Sequence, residues 1–209
     1  MTPLLRLQDA CFDDTGYGSV EDVDLVVHAG ELVVARGGAG TGKTVLARGC
    51  AGFVEAVSGE VELFGTPLFG LVHDALLALR ARISFASSSA PLLSNQSVRD
   101  NVALPLVMRG VDPKEIARVV DDVLARFDLG PVAIVRPEDL LPRDRELALN
   151  ARALAVPAEL FILDDPMLPP AALALLMDRV KAGAGVLAIV RNAALFPNAT
   201  RVVELRAPR

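Results

Sequence analysis

The apolar positions of this 209-residue chain change period several times, and the changes predict an order of elements. Residues 4–8 and 22–28 each read as a short strand, divided by the turn-rich Asp13-Asp14-Thr15-Gly16-Tyr17-Gly18. Ala29-Gly30 turns into a strand over 31–35, in which Val33, Val34 and Ala35 form a continuous apolar run. A glycine-rich stretch from Gly37 to Thr44 follows, and Val45-Leu46-Ala47 leaves it as a helix. Ser58-Gly59 marks a turn before the alternation Glu60-Val61-Glu62-Leu63-Phe64. Residues 72–81 have helical spacing, Ile83 to Ala86 reads as a short strand, and Ser87-Ser88-Ser89-Ala90-Pro91 as a loop.

Ser97-Val98-Arg99-Asp100 has capping-box spacing and predicts a short helix that ends near Pro105. A stronger helix starts at Asp112, with Pro113 at its first position and Glu115 three residues on from Asp112. Ile116, Val119, Val120, Val123, Leu124 and Phe127 lie on one face of it, and Gly130-Pro131 stops it. Another helix is predicted over Arg143 to Ala155. Leu160-Phe161-Ile162-Leu163 is a fully apolar strand that ends in Asp164-Asp165-Pro166. Residues 171–182 are helical again, Val186 to Val190 is a strand, and Arg201 to Leu205 is the last. Strands alternating with helices imply an α/β fold with a mostly parallel sheet and helices on both faces. The expected fold adds N-terminal antiparallel strands to this core, and the strandless run from about 97 to 155 adds an inserted helical subdomain. The expectation is one domain over 1–209, with the helical subdomain at roughly 88–150.

Gly37-Gly38-Ala39-Gly40-Thr41-Gly42-Lys43-Thr44 fits G-x-x-x-x-G-K-[ST], the phosphate-binding loop. The predicted strand before it and helix after it are the context this motif needs. Glycines let successive N–H groups turn toward one anion, and the helix N-terminus adds positive potential. Lys43 is placed to reach the β- and γ-phosphates of a nucleotide, and the Thr44 hydroxyl to ligate Mg²⁺. A second acidic ligand is expected at the end of a buried strand, and Asp164 supplies it.

Composition limits the alternatives. The chain is 52% hydrophobic with a net charge of −5 and no basic stripe, so no nucleic-acid partner is expected. Cys11 and Cys50 form no C-x-x-C pair and read as small buried residues in a reducing compartment. His28 and His73 are isolated, which argues against a His/Cys metal centre. There is no apolar signal core near residue 1, and Asp178, Arg179 and Lys181 break the longest apolar run. The expected location is cytoplasmic, with a peripheral place on the inner face of the cell membrane as an option.

From about Leu5 to Leu205 the chain resembles an ATP-binding-cassette (ABC) nucleotide-binding domain. The resemblance rests on Ala29-Gly30-Glu31, the phosphate loop, Ala51-Gly52-Phe53, Ser58-Gly59-Glu60, Asn101-Val102-Ala103-Leu104-Pro105-Leu106, Ala151-Arg152-Ala153-Leu154 and Leu163-Asp164-Asp165-Pro166. It implies a P-loop NTPase fold of the ABC type that binds ATP and Mg²⁺. Gly37 to Thr44 and Val45 would contact the nucleotide, and Thr44 and Asp164 the metal. It also implies pairing with another such domain, as a homodimer or heterodimer, and docking on a membrane permease.

The departures from the family pattern fall on the chemistry. The Q-loop glutamine is replaced by Ser88, too short to reach the metal, and Gln96 reads as a plain loop residue. The signature falls on Leu140-Leu141-Pro142-Arg143-Asp144, without its hydroxyl or glycine amides. Those residues also suit an ordinary helix start. The catalytic glutamate becomes Asp165, one methylene short, and a 1 Å misplacement costs about a hundredfold in rate. The D-loop falls on Met167-Leu168-Pro169-Pro170-Ala171 and lacks its aspartate. The switch histidine becomes Arg191, which is always protonated and has no acceptor. Phe12 and Tyr17 are both candidates for stacking on adenine, and both suit a packing or turn role. The catalytic candidates are therefore Asp165, as general base, and Arg191, at the switch position. Neither composite site is intact in any pairing of two domains, so the expected function is ATP binding with poor or absent hydrolysis. The alternatives are an active transporter ATPase and a soluble regulatory or scaffolding protein that keeps only the fold.

Overall fold

β1 (Leu5–Asp14) and β2 (Gly18–Val27) form a long antiparallel hairpin in the computed structural model, which describes residues 2–206. Both strands are longer than the expected 4–8 and 22–28, because β-bulges hide their alternation. The register shifts between Leu7 and Ala10 and again between Ala10 and Phe12. Asp9 (φ 46°) and Asp22 (φ 53°) adopt the left-handed conformation there, which Asp tolerates better than most residues. The buried set is thus Leu5, Leu7, Ala10 and Phe12, a period of two with a one-residue slip. Cys11 lies in this bulged stretch and is only half-buried, contrary to expectation; its Sγ accepts from the Asp22 N–H at 3.3 Å. Cys50 is buried as expected, and burial pushes its thiol up, away from the reactive thiolate.

The remaining strands and helices are β3 (Leu32–Arg36), α1 (Lys43–Cys50), β4 (Ala56–Leu63), β5 (Thr66–Pro67), α2 (His73–Arg80), β6 (Ile83–Ala86), α3 (Val98–Met108), α4 (Pro113–Arg126), α5 (Pro142–Leu154), β7 (Leu160–Asp164), α6 (Pro170–Lys181), β8 (Gly185–Val190) and β9 (Arg201–Glu204). The chain divides into two compact units. One comprises the residues up to Phe85, Ala158–Asp165 and those from Arg179 onward; the other comprises Ala86–Pro157 and Pro166–Asp178.

The first unit holds two sheets. One is antiparallel, in the order β2-β1-β4-β5; the other has the order β6-β7-β8-β3-β9, and its β7–β8, β8–β3 and β3–β9 pairs are parallel. Every residue of β7 and β8 is buried, as expected of parallel strands covered on both faces. Between the sheets, α1 packs on β1, β2 and β4 of one and on β7 and β8 of the other. Val45, Leu46, Ala47 and Cys50 join Leu7, Phe12, Val33, Ile162 and Leu187 in one apolar core.

In the second unit α3, α4 and α5 pack on one another. The predicted caps form: the Asp100 N–H donates to Ser97 Oγ at 3.1 Å, and the Lys114 N–H to Asp112 Oδ1 at 2.9 Å. Pro105 does not end α3, which continues to Met108. Proline removes one backbone donor, but Val98, Val102 and Leu106 form a buried stripe that crosses it and holds the helix together. Among the described residues no helix is long and apolar enough to cross a membrane.

Candidate functional site

Three neighbouring parallel strands end together and hand the chain to candidate residues. β3 runs into Gly37–Thr44, β7 ends at Asp164 with Asp165 next, and β8 is followed by Arg191. The register sets Arg36 beside Val190 and Asp164 beside Ile189. Crevices at the carboxyl ends of parallel strands are where such sheets bind ligands. The Gly37 N–H donates to the Val190 carbonyl at 3.0 Å, and the Asp165 N–H to the Ile189 carbonyl at 2.8 Å. Both the loop and the acidic turn therefore hang from the end of β8.

The loop has a buried base, at Gly37, Thr41 and Lys43, and an exposed crest, at Gly38, Ala39 and Gly40. Thr41 Oγ1 donates to the Gly38 carbonyl at 3.1 Å and closes the curl. A Cβ at Gly37 would lie 2.2 Å from Thr41 Oγ1, so the turn requires glycine there. Gly42 has φ 73° and caps α1, and a Cβ on it would stand 2.2 Å from the Ser19 carbonyl oxygen. Lys43 is 8% exposed, and its Nζ donates to the carbonyls of Gly37 at 3.1 Å and Gly38 at 2.7 Å. Its ammonium thus lies inside the loop. The Val45 side chain is wholly in the core, which leaves its backbone N–H, in the first turn of α1, as its contribution to the loop.

The Thr44 hydroxyl donates to Asp164 Oδ2 at 2.8 Å. Asp164 is 8% exposed at the end of a fully buried strand. A hydroxyl and a carboxylate side by side form the hard-oxygen donor set that suits Mg²⁺. A Cβ at Gly38 or Gly40 would meet nothing within 4 Å, so the crest is open to an anion. The residues present fit a Mg-nucleotide.

Asp165 and Arg191, considered singly in the sequence, face each other. Asp165 has φ 43°, and its Oδ1 accepts the Arg191 backbone N–H at 3.1 Å. Arg191 Nε stands 3.4 Å from Asp165 Oδ2, with both side chains well exposed. The Asp165 carboxylate is thus engaged by Arg191 through both its backbone and its side chain. Adjacent parallel strands that each end one residue before a charged group would have signalled this contact.

The two aromatic candidates separate. Phe12 is 1% exposed, and its ring fills the space that a side chain on Gly49 would need, so it is a core residue with no face for adenine. Tyr17 is 45% exposed at the β1–β2 turn, and the Arg48 guanidinium lies over its ring at 4.7 Å. Arg48 Nε also donates to Asp14 Oδ2 at 2.8 Å, which ties the turn to α1. Sequence reasoning missed Arg48; its place one helical turn beyond Thr44 was the available signal.

The other motif positions lie in the second unit. Ser88 is exposed, between Ser87 and Ser89, whose hydroxyls bond each other at 2.9 Å. Arg152 donates to the Ala90 carbonyl at 2.8 Å and the Pro91 carbonyl at 3.0 Å, and its burial lowers the guanidinium below its ordinary value. Gln96 is a turn residue: its N–H donates to the Leu93 carbonyl, and its own carbonyl accepts from Asn101. Leu141 is the N-cap of α5 with no side-chain capping bond, Pro142 opens the helix and Asp144 lies in its first turn. Leu141 itself is 69% exposed. Met167 to Pro169 run irregularly into α6.

Comparison with known proteins gives concordant matches. The family profile described as ABC transporter matches residues 20–168. The methionine import ATP-binding protein MetN 1 of Acinetobacter baylyi is 33% identical over 147 residues, 70% of this chain and 41% of the relative. The spermidine/putrescine import ATP-binding protein PotA of Pseudomonas aeruginosa is 32% identical over 165 residues, 79% of this chain and 44% of the relative. The match to these curated relatives thus spans less than half of their length. Among solved structures, an ATP binding subunit of an ABC transporter superposes with a TM-score of 0.81 at 23% identity, over 98% of this chain and 86% of the other. A dimeric ATP-binding cassette, MJ0796, in a post-hydrolysis state with ADP and Pi gives 0.84 at 21% identity, over 97% and 94%. At these identities the structural likeness concerns the fold.

Proposed function

This chain belongs to the ABC transporter family, and we propose that it works there as an ATP-binding subunit that holds Mg-ATP and hydrolyses it poorly or not at all. The observation that carries the proposal is the phosphate loop with Lys43 inside it and Thr44 bonded to Asp164 at 2.8 Å. In this reading the amides of Gly37 to Val45 cradle the phosphates, and Lys43 offsets their charge. Thr44 and Asp164 would hold the metal, which would supply positive charge against the phosphates.

The poor-hydrolysis part rests on what the chain puts where catalysis needs reach. Ser88 is short, Asp165 is one methylene shorter than the family's glutamate, and Leu141-Pro142-Arg143-Asp144 begins α5 without a hydroxyl or a glycine amide. Binding then has a conformational output, and the chain acts as a nucleotide clamp within an assembly. We propose a second cassette and a membrane permease as its partners, consistent with the import ATP-binding proteins among its relatives. That assignment places the chain on the cytoplasmic face of the membrane, as one cassette domain.

The test is equilibrium titration with Mg-ATP together with a steady-state ATPase assay. Lys43→Ala should weaken binding at least tenfold, about the value of one or two charge-assisted hydrogen bonds. Wild-type turnover should stay far below the roughly 1–10³ s⁻¹ typical of enzymes. Turnover in that range, abolished by Lys43→Ala, would mean an active ATPase instead. No binding of ATP would leave a scaffold that keeps only the fold.

A further inference from the structure

A cavity in the first unit lies at the far end of α1 from the phosphate loop, bounded by β4, β5 and α2. It holds about 600 Å³, within the roughly 300–1,000 Å³ usual for small-molecule sites. Phe12, Val61, Leu68 and Leu76 give it apolar walls. Its charged lining residues are all acidic, Glu55, Glu60 and Glu62, and among the described residues no lysine, arginine or histidine lines it. We propose that this cavity binds an organic cation with an apolar body, an aryl- or alkylammonium ion.

The charge of the lining is largely unmatched. Glu62 is taken, since Arg6 Nη1 meets its Oε1 at 3.2 Å. Glu55 and Glu60 are exposed and have no ion-pair partner among the described residues. The cations around the end of α1 are engaged elsewhere. Arg48 Nε donates to Asp14 Oδ2 at 2.8 Å, and Arg80 donates to the Gly52 carbonyl and lies over the Phe53 ring at 4.7 Å, outside the lining. Gly49 and Gly52 bring the carbonyl end of α1 to the cavity, and that end of a helix carries partial negative charge. Phe69, which lines the cavity at 84% exposure, adds an aromatic face of the kind that attracts ammonium groups. The same field turns phosphates away. Gly49 also stands six positions beyond Lys43, roughly 9 Å along the helix, so this site and the phosphate loop are separate.

The experiment titrates the full chain into tryptamine, an indole that carries an ammonium, and follows the probe's fluorescence anisotropy. The chain has no tryptophan, so indole emission comes from the probe alone. Indole-3-ethanol, which is neutral, and indole-3-propionate, which is anionic, are the matched controls. Tryptamine should saturate with a Kd of about 1 mM or below. The alcohol should bind about threefold to tenfold more weakly, and the acid more weakly still. Glu55→Gln combined with Glu60→Gln should keep the melting temperature, because both side chains are exposed, and should lower tryptamine to the affinity of the alcohol. Saturating Mg-ATP should leave the probe in place. The proposal is overturned if the three indoles bind alike, if the double variant holds tryptamine as tightly as wild type, or if Mg-ATP displaces it. Absence of saturation below about 10 mM overturns it as well. A chain that binds tryptamine but no Mg-ATP would defeat only the nucleotide reading, so the two failures are distinct.

Discussion

Gly42 shows how one residue can fix the geometry of a site. Its φ of 73° strains any side chain, and an added Cβ would sit 2.2 Å from a backbone oxygen of β2 that has no room to move. Gly42→Ala should therefore destabilise the protein by about 2–4 kcal/mol, read as a lower urea midpoint. Gly38→Ala is the matched control. Its Cβ meets nothing within 4 Å, so stability should change by under about 1 kcal/mol while nucleotide affinity falls. At this scale the sequence is informative wherever chemistry follows from spacing. The loop, Lys43, Thr44 and Asp164 follow from strand, turn and helix signals, and Thr44 and Asp164 are in fact bonded. It is weaker where residues meet only through the fold: Phe12 beneath Gly49, Arg48 over Tyr17 and Asp165 against Arg191 join distant chain positions, and spacing along the chain gives at most a hint of them.

Helix α3 shows the same division among elements. Ser97 and Asp100 announce its start through local hydrogen bonds, which sequence spacing encodes directly. Its end depends on the stripe Val98, Val102 and Leu106, which holds the helix through Pro105, and that is a tertiary effect. The bulged hairpin was misjudged for a related reason, since a one-residue slip in period is invisible until the partner strand is known. Asn101 is the polar anchor of α3. It is fully buried, accepts the Leu93 N–H at 2.7 Å, and donates to the carbonyls of Leu93, Gln96 and Ser97 at 3.0, 3.2 and 3.0 Å. Asn101→Ala removes the partner of the Leu93 N–H and of the Gln96 carbonyl and should cost about 2–3 kcal/mol by chemical denaturation. Ser97→Ala, at the exposed cap, should cost about 1 kcal/mol.

Across the whole molecule, the core strands and helices alternate as the sequence pattern predicts. Apolar periodicity and turn residues specify the alternating strands and helices, which is why the family fold was legible throughout. The start of α5 offers a test of self-association. If two chains pair so that each presents this helix end to the other's nucleotide, Leu141 and Pro142 offer the phosphate no hydroxyl, and Pro142 offers no N–H. Replacing Leu141→Ser, Pro142→Gly and Arg143→Gly together should then raise the ATP-dependent dimer fraction about tenfold or more, measured by light scattering on a size-exclusion column. An unchanged dimer fraction would show that this surface does not meet a nucleotide.

The helix behind the phosphate loop is eight residues long, too short to persist in water by itself, and it is wedged between two sheets. Its N-terminus is therefore only as well ordered as the antiparallel sheet beside it. A packing fault at Phe12 leaves every loop residue chemically intact, yet α1 settles differently and the amides lose their common aim. In a screen for weakened nucleotide binding such a fault would score as a binding-site lesion, although it lies in the foundations of the site.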